Sequence, residues 1–335
     1  MEYNVLGKTG LNISRLGFGG IPIQRIEGSE VRPLMQRLLD YGVNYIDTAR
    51  GYTVSEVYLG QALEGIRDKF VLATKSMSRD KEHMAQDIET SLSNLRTDYI
   101  DLYQVHNPNM EQFQQVMAPG GALEALKEAK AAGKIGHIGV TAHSLEVFAA
   151  ALEQDWVETI MFPYNIVETQ GEALMEKCRE KQIGVVVMKP LAGGALEDAT
   201  LAMRFINQNS AVSVVIPGMA TLEEIDQNAQ AMEMLEPLTT EEKEKMEHIR
   251  DTLGHQFCRR CNYCAPCAVG IQIPNVFLME GYLTRYGLEG WARTRYDAME
   301  KKASDCVECG VCEIRCPYNL PIREMLKKAA ASFGK

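Results

Sequence analysis

Two runs of closely spaced cysteines could carry chemistry in this chain of 335 residues. They read C-R-R-C-N-Y-C-A-P-C and C-V-E-C-G-V-C-E-I-R-C-P, and together they hold eight of the nine cysteines. Cysteines at every third position put three thiolates on one tight loop, which suits an iron–sulfur cubane. The second run matches the bacterial two-cluster spacing, including Pro317 after its last cysteine. We therefore expect two [4Fe–4S] clusters, with these ligands: Cys258, Cys261, Cys264, Cys267, Cys306, Cys309, Cys312 and Cys316.

Zinc binding and disulfide formation are the alternative uses of these cysteines. Zinc sites usually show pairs of Cys-x-x-Cys rather than triples, so structural zinc is the lesser alternative. A disulfide framework suits a short secreted chain, whereas this chain is long and its first residues, M-E-Y-N-V-L-G, show no secretion signal. The ninth cysteine, Cys178, stands alone on a predicted helix, and we expect it to be a small buried or half-buried apolar residue.

In two-cluster ferredoxins the fourth cysteine of each run serves the other cluster. By that rule the two ligand sets are Cys258, Cys261, Cys264 and Cys316 for one cluster, and Cys306, Cys309, Cys312 and Cys267 for the other. The first run departs from the pattern, because two residues instead of three precede Cys267 and Ala268 replaces the proline. The identity of each fourth ligand therefore stays open.

A second group of residues, called the quartet below, is suited to acid–base chemistry: Asp47, Tyr52, Lys75 and His106. A tyrosine near its usual pKa of about 10 is a poor acid at neutral pH, but a neighbouring ammonium favours the phenolate. A carboxylate would hold that ammonium in place, and a histidine would share a proton with the phenol or orient a carbonyl. Each residue alone is often structural. Together they predict a tuned proton donor for a carbonyl that accepts hydride.

The elements that must position these residues are short apolar strands alternating with amphipathic helices. Near-continuous apolar runs such as G-V-V-V-M predict strands buried on both faces, as in a parallel sheet. Between them, Met84, Ile88, Leu92 and Leu95 fall on one face of a helix. The eight predicted strands span Leu16–Gly19, Tyr45–Asp47, Phe70–Lys75, Tyr99–His106, His137–Thr141, Thr159–Phe162, Val185–Lys189 and Val212–Ile216.

Eight strands, each followed by a helix, predict an α/β fold, the (β/α)8 TIM barrel. A doubly wound open sheet is the main alternative, but the G-x-G-x-x-G motif that usually marks one is replaced by L-G-F-G-G-I-P-I. A hairpin is expected around Gly7 to Gly10. We assign residues 1–236 to the barrel. Residues 237–335 form a linker helix, capped by Thr239 or Thr240, and a small, mainly α, ferredoxin-like iron–sulfur domain.

Composition narrows the choice of partners. The net charge of −10 argues against nucleic acid, because phosphate binding needs a basic face. No apolar run approaches the length of a membrane span, so a membrane partner is not expected. Thiolates that bind iron need a reducing compartment, and we therefore predict a cytoplasmic location.

The quartet and its surroundings resemble the aldo-keto reductases. The matching stretches are N-Y-I-D-T-A-R-G-Y, V-L-A-T-K and D-L-Y-Q-V-H, and the resemblance spans roughly residues 1–236. Barrel plus cysteine domain is similar to the ferredoxin-containing branch of that family. The resemblance implies NAD(P)H bound without a Rossmann motif. It also implies that Tyr52 is the general acid, Lys75 depresses its pKa, Asp47 pairs with Lys75, and His106 orients the substrate carbonyl.

Weaker resemblances locate the nucleotide. H-I-G-V-T-A-H-S and M-F-P-Y-N resemble the segments that grip the nicotinamide carboxamide, although Ala142 and Met161 replace the usual Asn and Gln. M-K-P-L-A-G-G resembles the loop under the pyrophosphate, and I-P-G-M-A-T-L-E-E-I-D-Q-N the adenosine-binding stretch. The residues implied as cofactor contacts are Thr141, His143, Asn165, Lys189, Leu191, Gly193, Gly218, Glu224, Gln227 and Asn228. Glu224 stands where NADP-preferring relatives carry a basic residue, which favours NADH over NADPH.

Two functions follow from these signals. The first is an NAD(P)H-dependent oxidoreductase that reduces an aldehyde or ketone, or oxidises the matching alcohol. The second is an electron-transfer protein whose clusters are the active centres and whose barrel docks a redox partner protein. Hydride carries two electrons and a cluster carries one, so exchange between them would need a flavin or a partner. The chain shows no flavin motif.

Overall fold

The computed structural model describes residues 1–254, 256–260 and 262–334. Within these ranges, eight parallel strands follow one another in sequence order around a sheet. All eight predicted strands are confirmed, each with ends within two residues of the prediction. The strands are β3 (Gly17–Gly19), β4 (Tyr45–Asp47), β5 (Val71–Ser76), β6 (Ile100–His106), β7 (Ile135–Thr141), β8 (Thr159–Pro163), β9 (Gly184–Met188) and β10 (Val214–Ile216).

The sheet closes on itself. Parallel bridges join Leu16 to Val215 and Gly19 to Gly218, so β10 meets β3. The Gly19 amide donates to the carbonyl oxygen of Pro217 at 2.9 Å across this seam. The predicted TIM barrel is therefore confirmed, and an open sheet is excluded.

Nine α-helices accompany the strands between residues 17 and 233, a range that the structure describes in full. In α3 the predicted apolar face is buried, since Met84, Ile88 and Leu92 are each at most 8% exposed. Asp80 caps this helix by accepting from the His83 amide. The helices are α1 (Gly28–Asp40), α2 (Ser55–Ala62), α3 (Lys81–Asn94), α4 (Met110–Met117), α5 (Ala122–Ala131), α6 (Leu145–Leu152), α7 (Glu172–Glu180), α8 (Ala199–Asn207) and α9 (Leu222–Glu233).

The predicted hairpin is confirmed as β1 (Tyr3–Val5) and β2 (Asn12–Ser14), paired antiparallel. Leu6 and Ile13 are fully buried in one apolar cluster with residues of six barrel strands. Gly7, with a φ of +54°, lies against the chain entering β9, where an added Cβ would come within 2.3 Å of the Gly184 nitrogen. The hairpin therefore packs closely onto the barrel, and only glycine fits at this contact.

The chain divides into two compact units, and the second comprises residues 166–168, 191–197 and 238–335. The boundary at 236/237 read from the sequence remains a prediction. Within the second unit the ring planes of Tyr296 and Phe333 stack with centroids 3.7 Å apart in a buried apolar core. Its helices are α10 (Thr240–Leu253), α11 (Ile273–Thr284), α12 (Glu289–Asp297), α13 (Val311–Ile314) and α14 (Ile322–Ser332). Thr239 is the N-cap of α10.

Within the described residues, no helix is both long and apolar enough to cross a membrane.

Candidate active site and cysteine cavities

A buried ion pair lies at the carboxyl ends of β4 and β5. The Lys75 ammonium donates to Asp47 Oδ2 and, at 2.8 Å, to the carbonyl oxygen of Thr48. Gln104 on β6 donates to the other carboxylate oxygen of Asp47 at 3.1 Å. Burial lowers the pKa of Lys75, and the Asp47 carboxylate opposes that shift. Both side chains are therefore fixed before any ligand binds, which suits electrostatic preorganisation.

Tyr52 lies beside this pair, on the loop after β4. The Lys75 Nζ is 4.9 Å from the centroid of the Tyr52 ring. The rings of Tyr52 and His106 meet edge to face, with centroids 6.2 Å apart and an angle of 87°. The structure thus brings together all four residues that the sequence predicted as a catalytic set.

His106 is the last residue of β6 and is half-buried. Burial, followed by the charges of Lys75, Arg79 and Lys189, holds the pKa of His106 well below its usual value. Its buried Nδ1 has no hydrogen-bond partner within the described residues. A neutral imidazole carries one N–H donor and suits hydrogen bonding to a carbonyl.

The predicted carboxamide contacts occupy the ends of the next two strands. Thr141, buried at the end of β7, accepts at its hydroxyl from the Asn107 amide at 2.9 Å. The Asn107 side-chain oxygen lies 2.9 Å from His143 Nδ1. Asn165, fully buried, donates to the carbonyl oxygen of Lys189 at 2.9 Å. Thr141, His143 and Asn165 are therefore held in place at the same edge of the barrel as the quartet. Their polar atoms suit hydrogen bonding to a carboxamide group.

The predicted pyrophosphate loop is divided between the two units. Lys189 lies in the barrel unit with a φ of +57°, whereas Leu191 and Gly193 belong to the second unit. Gly193 has a φ of +68°, and an added Cβ there would lie 2.9 Å from the ring of Tyr286. Packing against Tyr286 therefore accounts for this glycine without a phosphate.

The predicted adenosine contacts lie on and before α9. Glu224 accepts from the amides of Ala220 and Thr221, at 2.6 and 3.2 Å, and so completes the capping box of the helix. Asn228 is buried and donates to the Glu224 carbonyl oxygen at 2.7 Å, while Gln227 is exposed. Gly218 lies where an added Cβ would meet Pro22 at 2.6 Å. Glu224 therefore has a structural role as part of the cap of α9, and its contact with the adenosine ribose stays a prediction.

Seven cysteines of the two runs surround two separate cavities in the second unit. One cavity is lined by Cys267, Cys306, Cys309 and Cys312. The other is lined by Cys258, Cys264 and Cys316. Cys261 lies outside the described residues.

This grouping follows the crossed ligand sets, because Cys267 lies with the second run and Cys316 with the first. None of these seven thiols is in a disulfide. No three His, Cys, Asp or Glu side chains in the described ranges are arranged around a single metal ion. The cysteines line the walls of two spaces, an arrangement that fits ligation of a cubane at its corners.

Charged residues support the first cysteine run. Arg259 donates to the Val167 carbonyl oxygen at 2.9 Å and stacks on the Tyr318 ring, 3.9 Å from its centroid. Arg260 pairs with the fully buried Glu168 at 2.6 Å. These contacts fix Arg259 and Arg260, the two residues that follow Cys258.

Four residues that contact the quartet or its neighbours were missed by sequence reasoning: Thr48, Gln104, Arg79 and Asn107. Gln104 lies within D-L-Y-Q-V-H, two residues before His106, and faces the same side of β6. That period of two was the available signal for Gln104. Arg79 and Asn107 lie on loops, where no periodicity marks side-chain direction.

The chain combines a (β/α)8 barrel, a buried Lys75–Asp47 pair beside Tyr52, and a cysteine-rich unit. This combination is typical of one class of oxidoreductases. Residues 15–200 match the aldo/keto reductase family, and this chain belongs to that family. Residues 257–321 match the 4Fe-4S dicluster domain.

Named relatives agree with this assignment. L-galactose dehydrogenase of Arabidopsis thaliana is 25% identical over 289 residues, covering 71% of this chain and 90% of that protein. The NADH-specific methylglyoxal reductase of Escherichia coli is 30% identical over 222 residues, covering 57% and 68%. The solved aldo-keto reductase AKR11C1 from Bacillus halodurans, in its holo form, superposes with a TM-score of 0.66 at 27% identity, covering 74% of this chain and 96% of that one. The chain is an NAD(P)H-dependent oxidoreductase of the aldo/keto reductase family.

Proposed function

We propose that this oxidoreductase reduces an aldehyde or ketone, or oxidises the matching alcohol, with Tyr52 as the proton donor. The observation that carries the proposal is the position of Lys75. Its ammonium is anchored by Asp47 and lies 4.9 Å from the Tyr52 ring centroid. A cation so placed stabilises the tyrosinate that remains when the phenol gives its proton away.

Each neighbour of Tyr52 has a distinct role in this reaction. Tyr52 passes its hydroxyl proton to the carbonyl oxygen as negative charge develops there. Lys75 stabilises the resulting phenolate, and Asp47 positions Lys75 and offsets its burial. His106, neutral because its pKa is depressed, donates a hydrogen bond that orients the carbonyl.

NAD(P)H, when bound, supplies the hydride. Thr141, His143 and Asn165 would hold the nicotinamide carboxamide, and Lys189 would face the phosphates. Residues of α9 would contact the adenosine. We propose NADH over NADPH, because the Glu224 carboxylate would repel a 2′-phosphate. The relative from Escherichia coli is itself named as NADH-specific.

Two [4Fe–4S] clusters would be held in the cysteine cavities of the second unit. A small cysteine-rich domain is stabilised by its metal, so a structural role alone accounts for them. The second candidate function, electron transfer to a redox partner protein, is favoured by exposure at one cavity. Cys309 is exposed there, and its neighbour Val307 is 61% exposed. Electron exchange between a cluster and a nicotinamide in the barrel would then require a flavin or a partner protein, because hydride carries two electrons and a cluster carries one.

The test compares Tyr52→Phe with wild type in anaerobic oxidation of NADH, and of NADPH in parallel, with a panel of aldehydes and ketones. We expect kcat/KM to fall by roughly 100-fold or more. Tyr58→Phe, on the neighbouring helix α2, is the matched control and should behave as wild type. Full activity in Tyr52→Phe would overturn the assignment of the proton donor. A lower KM for NADPH than for NADH would overturn the cofactor preference.

A further inference from the structure

Arg79 places a guanidinium beside His106. It lies on the loop that joins β5 to α3, and its Nη2 donates to the carbonyl oxygen of His106 at 2.7 Å. That carbonyl ends β6, at the same edge of the barrel as Asp47 and Lys75. The guanidinium is therefore part of the surroundings of the reacting carbonyl, although the roles proposed above do not use it.

In the described part of the chain, no negatively charged group neutralises the Arg79 guanidinium. No carboxylate pairs with it, and its buried Nε has no acceptor there. Burial lowers its pKa to about 10, and no anion opposes that shift. The Arg79 side chain is half-buried, and a partly desolvated cation without a counter-charge is stabilised when an anionic ligand pairs with it.

Nearby carboxylates are already engaged. Asp47 is paired with Lys75. Asp80 caps α3 and contacts His83. Asp87 accepts from the hydroxyls of Ser76 and Ser78, the latter at 2.6 Å. Lys75 and Lys189 add further positive charge near the His106 ring. The carboxylates nearest Arg79 therefore already have other donors, and Arg79 acts with Lys75 and Lys189 as positive charges on His106.

The loop that carries Arg79 is fixed from both sides. The Ser76 and Ser78 hydroxyls are bound to Asp87 of α3. On the other side, the Ala122 amide donates to the Arg79 carbonyl oxygen at 2.9 Å. Arg79 is thus preorganised as a site on a rigid scaffold, in the way that a specificity residue requires.

We infer that Arg79 binds a carboxylate carried by the substrate, so that the substrate class is an oxo acid with a carbonyl and a carboxylate in one small molecule. This inference rests on the proposed carbonyl reduction. A planar guanidinium matches the fork of a carboxylate, and a single guanidinium balances a single negative charge. Arg79 is therefore assigned to specificity, whereas Tyr52 and His106 act at the reacting carbonyl.

A purely structural role for Arg79 makes a different prediction. A neutral donor at this position would serve the His106 carbonyl oxygen equally well, so Arg79→Gln would affect all substrates alike. Recognition of a carboxylate depends on the charge, so Arg79→Gln would affect only carboxylated substrates. Arg79→Lys keeps the charge without the fork and should retain part of the preference.

The first measurement compares kcat/KM for succinic semialdehyde and butanal, which have equal chain lengths, in the cluster-loaded enzyme. We expect wild type to prefer succinic semialdehyde and Arg79→Gln to lose roughly 10- to 100-fold on it alone. Lys81→Gln, an exposed lysine two residues away, is the control for the same loss of charge and should match wild type. Equal losses on both substrates, or a wild-type preference for glyceraldehyde 3-phosphate over succinic semialdehyde, would overturn the inference.

The second measurement does not depend on turnover. Calorimetric titration of the cluster-loaded protein with butyrate, in the presence of NAD⁺, should show saturable binding. Arg79→Gln should weaken it by roughly tenfold or more, and Lys81→Gln should leave it unchanged. Wild type that reduces neither aldehyde contradicts the proposed function. Wild type that does not bind butyrate, or that binds it no better than Arg79→Gln, contradicts the role of Arg79.

Discussion

At the scale of single residues, the proposed mechanism assigns proton donation to Tyr52 and orientation of the carbonyl to His106. Tyr52 and His106 are neighbours, and both are able to donate a hydrogen bond. Burial and the surrounding positive charges keep His106 neutral, which removes it as a source of protons near neutral pH. Lys75 acts in the opposite sense on Tyr52, because a cation favours the phenolate. In this mechanism the positive charge of Lys75 helps to keep His106 neutral and makes it easier for Tyr52 to give up its proton.

This division predicts the pH dependence of carbonyl reduction. The folded-state pKa of His106 lies well below 6.5, so lowering the pH to about 6 leaves the imidazole neutral. We expect kcat/KM to be flat between about pH 6 and 8, and to fall only at alkaline pH as Tyr52 loses its proton. His106→Gln should lower the value throughout without changing the shape of the curve. A decline centred near pH 6.5 that disappears in His106→Gln would identify the histidine as the acid instead.

At the scale of elements, the strands explain why so much of the site was predictable. Asp47, Lys75 and His106 lie at the ends of β4, β5 and β6 or one residue before, and the alternation of short strands with amphipathic helices gives these elements a strong sequence signal. Once three strands are placed in a barrel, their carboxyl ends must meet. The quartet could therefore be assembled from sequence alone. Its resemblance to a known family added the roles.

Loop residues were not predictable in the same way. Arg79 reaches the His106 carbonyl oxygen only because Asp87 and Ala122 fix its loop, and neither contact leaves a periodic pattern. Glu224 shows the reverse case. A carboxylate three residues after Thr221 is a capping-box signature, whereas the family resemblance implies a contact between Glu224 and the adenosine ribose. Sequence patterns report on regular elements, whereas side-chain direction on loops depends on packing across the chain.

The β1–β2 hairpin allows a test of how much its close packing against β9 contributes to the stability of the protein. Gly7 and Gly10 both have positive φ, but an added Cβ at Gly7 meets the Gly184 nitrogen at 2.3 Å, and at Gly10 it meets nothing within 4 Å. Gly10→Ala should lower the free energy of unfolding by about 1–2 kcal/mol, because alanine is strained at this positive φ. Gly7→Ala should cost about 1–3 kcal/mol more, because the backbone of β9 must move.

The two variants are to be compared by urea unfolding followed by fluorescence, with the clusters intact in both. Gly10→Ala is the matched control, because it makes the same chemical change at the same kind of φ in the same turn. Equal midpoints for the two proteins would show that the contact with β9 carries no energetic weight.

At the scale of the whole molecule, the chain joins an enzyme barrel to a unit whose cysteines fall into two groups. The grouping depends on two residues that lie far apart in sequence, Cys267 and Cys316. Each lines the cavity formed by the other run. If each cavity holds a cubane, the two runs are tied together by metal, and neither run can complete a cluster alone. The second unit would then fold as one piece, since metal binding and folding are coupled.

Paired substitutions distinguish crossed from uncrossed ligands. Cys264→Ala with Cys316→Ala removes two ligands of one cluster if the sets are crossed, so iron per chain should fall from about eight to about four. Cys264→Ala with Cys267→Ala then removes one ligand from each cluster, and iron should fall further. Uncrossed ligands reverse this ranking, because Cys264 and Cys267 would share a cluster. Cys178→Ala, a buried cysteine of the barrel unit, controls for the loss of a thiol and should keep all the iron. Iron analysis with low-temperature EPR of the reduced proteins measures both quantities, and the order of the two double variants decides between the arrangements.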